Sequence, residues 1–156
     1  MRGGEQNPAA IRLAVSGEAD AVRFLVRAAY AHYVPRLGRE PSPMGEDYDR
    51  RIAMDQVWVL EEQGELVGVV SLTQRPGSFL LQNIAVAPEA QGKGYGRRLI
   101  AFAEEQARER GFTELRLYTN VLMVENIALY HHLGFREIGR IHENGFDRLY
   151  MAKPIS

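Results

Sequence analysis

Gln91-Gly92-Lys93-Gly94-Tyr95-Gly96 stands between an apolar run, Phe79 to Val86, and a stretch of helical composition from Arg97 to Arg110. The order reads as strand, turn and helix. Glycines at alternate positions let the backbone turn tightly and bring bare N–H groups close to a ligand. The helix that follows adds unpaired donors and the positive end of its dipole. A phosphate group is the natural guest of such a turn.

Two phosphate-binding motifs can be tested residue by residue. The dinucleotide fingerprint fails because Gly92-Lys93-Gly94 would require glycine at position 97, where Arg97 stands. The Walker loop fails as well, since Lys93 is followed by Gly94 and position 87 is Ala87. What remains is Gln-x-x-Gly-x-Gly, which resembles the pyrophosphate loop of the GCN5-related N-acetyltransferase (GNAT) superfamily. Simple backbone economy would also explain a glycine-rich turn, so the rest of the chain has to decide. Val86-Ala87-Pro88 supplies the Val-x-Pro that the superfamily places before the loop. Asn126-Ile127-Ala128-Leu129-Tyr130, followed by Gly134-Phe135, matches its later Asn, Tyr and Gly-Phe elements in order. The resemblance covers roughly residues 10 to 153.

At 156 residues the chain is about one domain long. A formal net charge of −1 gives no basic excess, which argues against a nucleic-acid surface. The absence of cysteine excludes a disulfide scaffold, a thiolate metal site and a cysteine nucleophile, and fits a reducing compartment. Residues 1 to 8 lack the apolar core of a signal peptide, and no window approaches the ~18 apolar residues of a membrane span. The expectation is a cytoplasmic protein, soluble and not membrane-bound, with a flexible leader over residues 1–9 and one domain over 10–156.

Patterning predicts a strand at Ile11–Val15 and a helix from about Ala19 to Tyr33, with Val22, Leu25, Val26 and Ala29 on its core face. Three prolines and two glycines predict a loop over Pro35–Gly45. A short helix over Asp47–Met54 follows, then a hairpin of Val57–Leu60 and Leu66–Leu72 around Gln63-Gly64. Phe79–Val86 continues the antiparallel run, Glu114–Tyr118 forms a further strand, and a helix over Met123–Leu133 stops at Gly134. Phe135–Ile141 and Asp147–Met151 pair across Glu143-Asn144-Gly145, and Trp58 reads as core. The resemblance implies an α/β (α+β) fold with a mixed, mostly antiparallel sheet of about six to seven strands flanked by about four helices.

The resemblance also implies roles. The loop from Gln91 through Gly92, Lys93, Gly94, Tyr95 and Gly96 would take the pyrophosphate of acetyl-CoA on its N–H groups, with Lys93, Arg97 or Arg98 supplying charge. Basic residues in a first turn oppose the helix dipole, so an anion nearby explains them better than solvent does. The main-chain N–H of Ile84, at a bulge, would polarise the acetyl carbonyl, and Val86 would hold the pantetheine arm. Tyr130 would protonate the departing sulfur, and Asn126, four residues earlier, shares its helix face. Gln82 occupies the position where many relatives carry a basic glutamate. An amide accepts no proton usefully, so deprotonation of an amine with pKa near ~10.4 passes to Asp47, Glu46 or His32, or to solvent.

His131 and His132 point about 100° apart on their helix and offer no metal spacing, and no metal is expected. The implied activity is acetyl transfer from acetyl-CoA to a primary amine by direct attack, with small molecules favoured over proteins. A non-enzymatic acyl-CoA-binding module is the rival that Gln82 keeps open. Residues 30–48 and the turn at Glu143-Asn144-Gly145 would shape the acceptor pocket. Homodimers are common in such folds, and nothing in the sequence fixes one.

Overall fold

The computed structural model describes residues 9–143 and 145–155. Most of the predicted leader, and Asn144 of the predicted turn, lie outside the described residues. Seven strands form one sheet: β1 (Ala10–Leu13), β2 (Val57–Glu62), β3 (Glu65–Arg75), β4 (Ser78–Val86), β5 (Glu114–Asn120), β6 (Arg136–Glu143) and β7 (Phe146–Pro154). Their order is β1-β2-β3-β4-β5-β7-β6, and every neighbouring pair is antiparallel except β4 and β5. The mostly antiparallel, mixed sheet is the fold class expected.

Local chemistry accounts for the turns. Gln63 and Gly64 both have positive φ, 53° and 83°, the backbone that a two-residue hairpin needs to match the strand twist. The central strands are buried on both faces. Leu60, Leu72, Leu115, Leu117 and Met151 are at most 2% exposed, each contributing about 1.5–3 kcal/mol of burial. Trp58 is core as expected, with its ring 5.6 Å from that of Phe102.

Five helices flank the sheet: α1 (Ala19–Tyr30), α2 (Val34–Leu37), α3 (Tyr48–Ala53), α4 (Tyr95–Glu109) and α5 (Val124–His132). Val22, Leu25, Val26 and Tyr30 form the apolar stripe that lays α1 on β3 and β4. The segment expected to be a loop is partly helical. Pro35 and Pro43 occupy first-turn positions of α2 and of a 3₁₀ turn at Ser42–Gly45, where the missing N–H has no helical partner to lose. Asp47 caps α3 by accepting from the Arg50 N–H at 3.1 Å.

Candidate active site

The site begins as a defect in the sheet. Ser71 pairs with Asn83 but Leu72 pairs with Leu81, so Gln82 is the extra residue of a bulge in β4. The bulge thus falls two residues before Ile84, the position where resemblance had put it. On its other edge β4 meets β5 only at Leu80–Arg116 and Leu81–Leu117. The two parallel strands part beyond that point and leave the edge of Ile84 to Val86 without a strand partner.

Ile84 is paired with Val70, yet its carbonyl accepts from the Tyr30 hydroxyl at 2.9 Å. Both polar groups of a strand residue lie on one edge, so an outward carbonyl means an outward N–H. That N–H is presented to the gap.

A cleft of about 470 Å³ fills the gap, lined by the end of α1, Ile84 to Val86, the glycine loop, the first turn of α4 and one face of α5. Gln91 closes the loop by donating from Nε2 to the Val86 carbonyl at 3.3 Å. Gly92 and Gly94 have φ of 85° and 81°, left-handed values that other residues resist. Gly94 is the N-cap of α4 and no side chain caps the helix, so its first N–H groups remain available. Gly96 needs no special φ, but a Cβ there would meet nothing within 4 Å, and it lines the cleft. These features fit a diphosphate close to backbone.

The three cations expected near the loop do not all line the cleft. Arg97 lines the cleft, whereas Lys93 and Arg98 do not. The Lys93 ammonium lies 3.9 Å from Glu62, and the Tyr95 hydroxyl donates to the same carboxylate at 2.6 Å. Glu62, at the end of β2, thus meets both side chains, and Tyr95 also lines the cleft.

On the opposite wall Asn126 and Tyr130 line the cleft together, as their spacing requires. Tyr130 is 5% exposed, and its hydroxyl is pushed well above the ordinary tyrosine value, first by burial and then by Tyr30 and Tyr33. Burial likewise raises Tyr30 and pushes Tyr33 up to about 12, the latter helped by Glu125. The Tyr33 hydroxyl has no hydrogen bond of normal geometry, and the Glu125 carboxylate and the Asn126 backbone are near it. Glu125 is held down at about 2 by a two-pronged bond from Arg36, at 2.6 and 3.0 Å. Tyr30, Tyr33 and Glu125 were missed in the sequence. Tyr30 and Tyr33 had a signal, since they continue the spacing of the α1 stripe to its C-terminal end.

Gln82 lies outside this cleft. Its amide donates to Thr73 Oγ1 at 2.8 Å and accepts from the Tyr118 hydroxyl at 3.3 Å, beside a second pocket of about 50 Å³. Glu46 also lines that pocket, His32 lines the larger cleft, and Asp47 serves as the α3 cap. Among the described residues no group of three or more His, Cys, Asp or Glu could hold a metal. No helix among them is long and apolar enough to cross a membrane.

Residues 53–137 match the family model for the acetyltransferase (GNAT) domain. The chain is 42% identical over 85 residues to the uncharacterised N-acetyltransferase YjgM of Escherichia coli K12, covering 52% of this chain and 51% of that protein. It is 34% identical over 101 residues to the IAA acetyltransferase of Azospirillum brasilense, covering 62% and 66%. The chain thus spans about half to two thirds of these relatives. The backbone superposes on the PaiA N-acetyltransferase of Thermoplasma acidophilum, crystallised with coenzyme A, with a TM-score of 0.79 at 18% identity over 94% of this chain and 99% of that one.

Proposed function

The chain belongs to the GNAT acetyltransferase family, and from that premise we propose that it is an N-acetyltransferase carrying acetyl from acetyl-CoA to a primary amine of a small molecule. The observation that carries this reading is the parting of β4 and β5 under a cleft that joins an open glycine loop to a buried tyrosine.

Acetyl-CoA supplies an activated acetyl thioester when bound. The N–H groups of Gly92 through Arg97 hold the diphosphate, with Arg97 adding charge at the rim, and Gln91 fixes the loop that presents them. Val86 and Leu129 offer apolar walls to the pantetheine arm, and Asn126 supports it. The Ile84 N–H donates to the carbonyl oxygen as charge develops there, an interaction worth on the order of 3 kcal/mol. Tyr130, kept protonated by its burial, holds the proton for the departing sulfur. Gln82 cannot relieve the incoming amine of its proton and Asp47 caps its helix, so that role falls to Glu46, which lines the adjoining small pocket. The proposed setting is the cytoplasm, without nucleic-acid, membrane or metal partners.

A panel of amines with acetyl-CoA, followed by free thiol release, tests this. A second reading, an acyl-CoA-binding module without turnover, is favoured by the amide at Gln82. Tight coenzyme A binding with no thiol release from any amine selects it.

A further inference from the structure

The 50 Å³ pocket adjoins the larger cleft along the chain itself. Gln82 and Asn83 line the small pocket, and Ile84, the next residue, lines the cleft. On the facing side Met123 lines the small pocket, while Glu125 and Asn126 line the cleft. The small pocket is thus lined by the β4 residue next to Ile84, where the acetyltransferase reading, on which this inference rests, puts the acetyl carbonyl.

Its polar lining is mostly engaged already. Asn83 bridges the hydroxyls of Tyr30 and Tyr48, Asn120 Oδ1 accepts from the Leu122 N–H, and Gln82 is tied to Thr73 and Tyr118. Two ionised side chains remain among the described lining residues, Arg148 and Glu46.

Arg148 is fixed in place. Its side chain is 12% exposed, Nη1 donates to Glu143 at 2.8 Å and Nη2 to Ser42 Oγ at 3.2 Å. The guanidinium also lies 4.9 Å from the Tyr118 ring and 5.6 Å from that of Phe146. Those contacts immobilise a five-donor fork while using few of its N–H groups, so a planar carboxylate can dock without further ordering. A simple alkylammonium meets the same cation as repulsion. Glu46, bridged to Arg51 at 2.9 Å, supplies the opposite charge. The volume suits about three or four water-sized groups, the size of an amino-acid head.

We propose that this pocket is the acceptor site and that it takes an α-amino acid, with the carboxylate on Arg148 and the amino group toward Glu46. Arg148 is then a specificity-determining residue rather than a strut for the β6–β7 turn.

The test is calorimetric titration of the full chain, saturated with coenzyme A, using matched pairs: L-leucine against 3-methylbutylamine, L-phenylalanine against phenethylamine, and L-methionine against 3-(methylthio)propylamine. At least one amino acid should bind tenfold or more tightly than its decarboxylated partner, about 1.4 kcal/mol. Arg148→Gln should erase that ratio. Arg148→Lys keeps a cation for Glu143 if the first variant fails to fold, and should lose most of the ratio with the fork. Equal affinities within every pair, no binding by any amino acid, or an unchanged ratio in a folded variant would overturn the proposal. Thiol release by the same protein reports separately on acetyl transfer. Acid-selective binding without release leaves the pocket assignment standing and removes the enzyme reading, whereas release from amines without acid preference does the reverse.

Discussion

The hydroxyl of Tyr30 lies 2.9 Å from the carbonyl oxygen of Ile84 and 3.0 Å from Oδ1 of Asn83, the two residues that follow the bulge in β4. The network continues from Asn83 Nδ2 to the Tyr48 hydroxyl at 2.9 Å, and from that hydroxyl to the Pro43 carbonyl at 2.7 Å. Helix α1 and the segment before α3 are thereby tied to the stretch of β4 that β5 leaves without a partner.

Tyr30→Phe removes the hydroxyl that donates to the Ile84 carbonyl. The variant should lose about 1–3 kcal/mol in denaturant unfolding, because buried acceptors are left unpaired. Its kcat should fall while the Michaelis constant for acetyl-CoA stays within a few fold, since the Ile84 N–H is needed most as charge develops. Wild-type stability together with wild-type kcat would contradict a positioning role.

Tyr130→Phe should lower turnover 10²–10⁴-fold with little change in coenzyme A affinity. The raised pKa sets the sign of the pH dependence. The hydroxyl remains the proton-bearing form until well above pH 10, so no loss of rate with rising pH up to that point should trace to Tyr130. Full activity of the variant, with chemistry shown to limit the rate, would leave Tyr130 as a core residue packed on Phe135.

Gly96→Leu separates ligand approach from backbone strain, because position 96 has an ordinary helical backbone and open space beyond it. Leucine is a good helix former, so the unfolding midpoint should hold or rise slightly. Equilibrium dialysis should show coenzyme A binding weakened at least tenfold, about 1.4 kcal/mol. Unaltered binding would move the diphosphate away from this turn.

The proton acceptor is tested by comparing Glu46→Ala, Asp47→Ala and His32→Ala. Glu46→Ala should flatten the acidic limb of the kcat/KM profile. Asp47→Ala should cost about 1 kcal/mol of stability through the lost cap and leave the profile alone. His32→Ala should alter neither. A flattened limb in Asp47→Ala or His32→Ala would reassign the base, and three unchanged profiles would pass the task to solvent. Gln82→Glu adds a carboxylate at the bulge and should raise the rate on high-pKa amines.

Much was written locally. A glycine turn between an apolar strand and a helix, three prolines in one segment, and apolar spacing of 3.6 or 2 each constrain a few neighbouring residues. They made legible the strands, the longer helices, the hairpins, the family resemblance and the glycine turn that lines the cleft, together with the shared face of Asn126 and Tyr130, because each depends on contacts within about ten residues. Other features need partners far away in the chain. Nothing near Lys93 says that its ammonium lies 3.9 Å from Glu62, thirty-one residues earlier. Nothing near Gln82 says that β3 leaves it unpaired, or that the pairing with β5 stops one residue before it. Arg148 looks like one more surface cation until the fold sets it between Ser42, Tyr118 and Glu143. The sequence by itself determined the glycine turn before a helix and the spacing of Asn126 and Tyr130, on which the proposed phosphate and proton roles rest. Only the tertiary structure decided where the sheet opens and which charges face the opening, because both follow from strand pairing between distant segments.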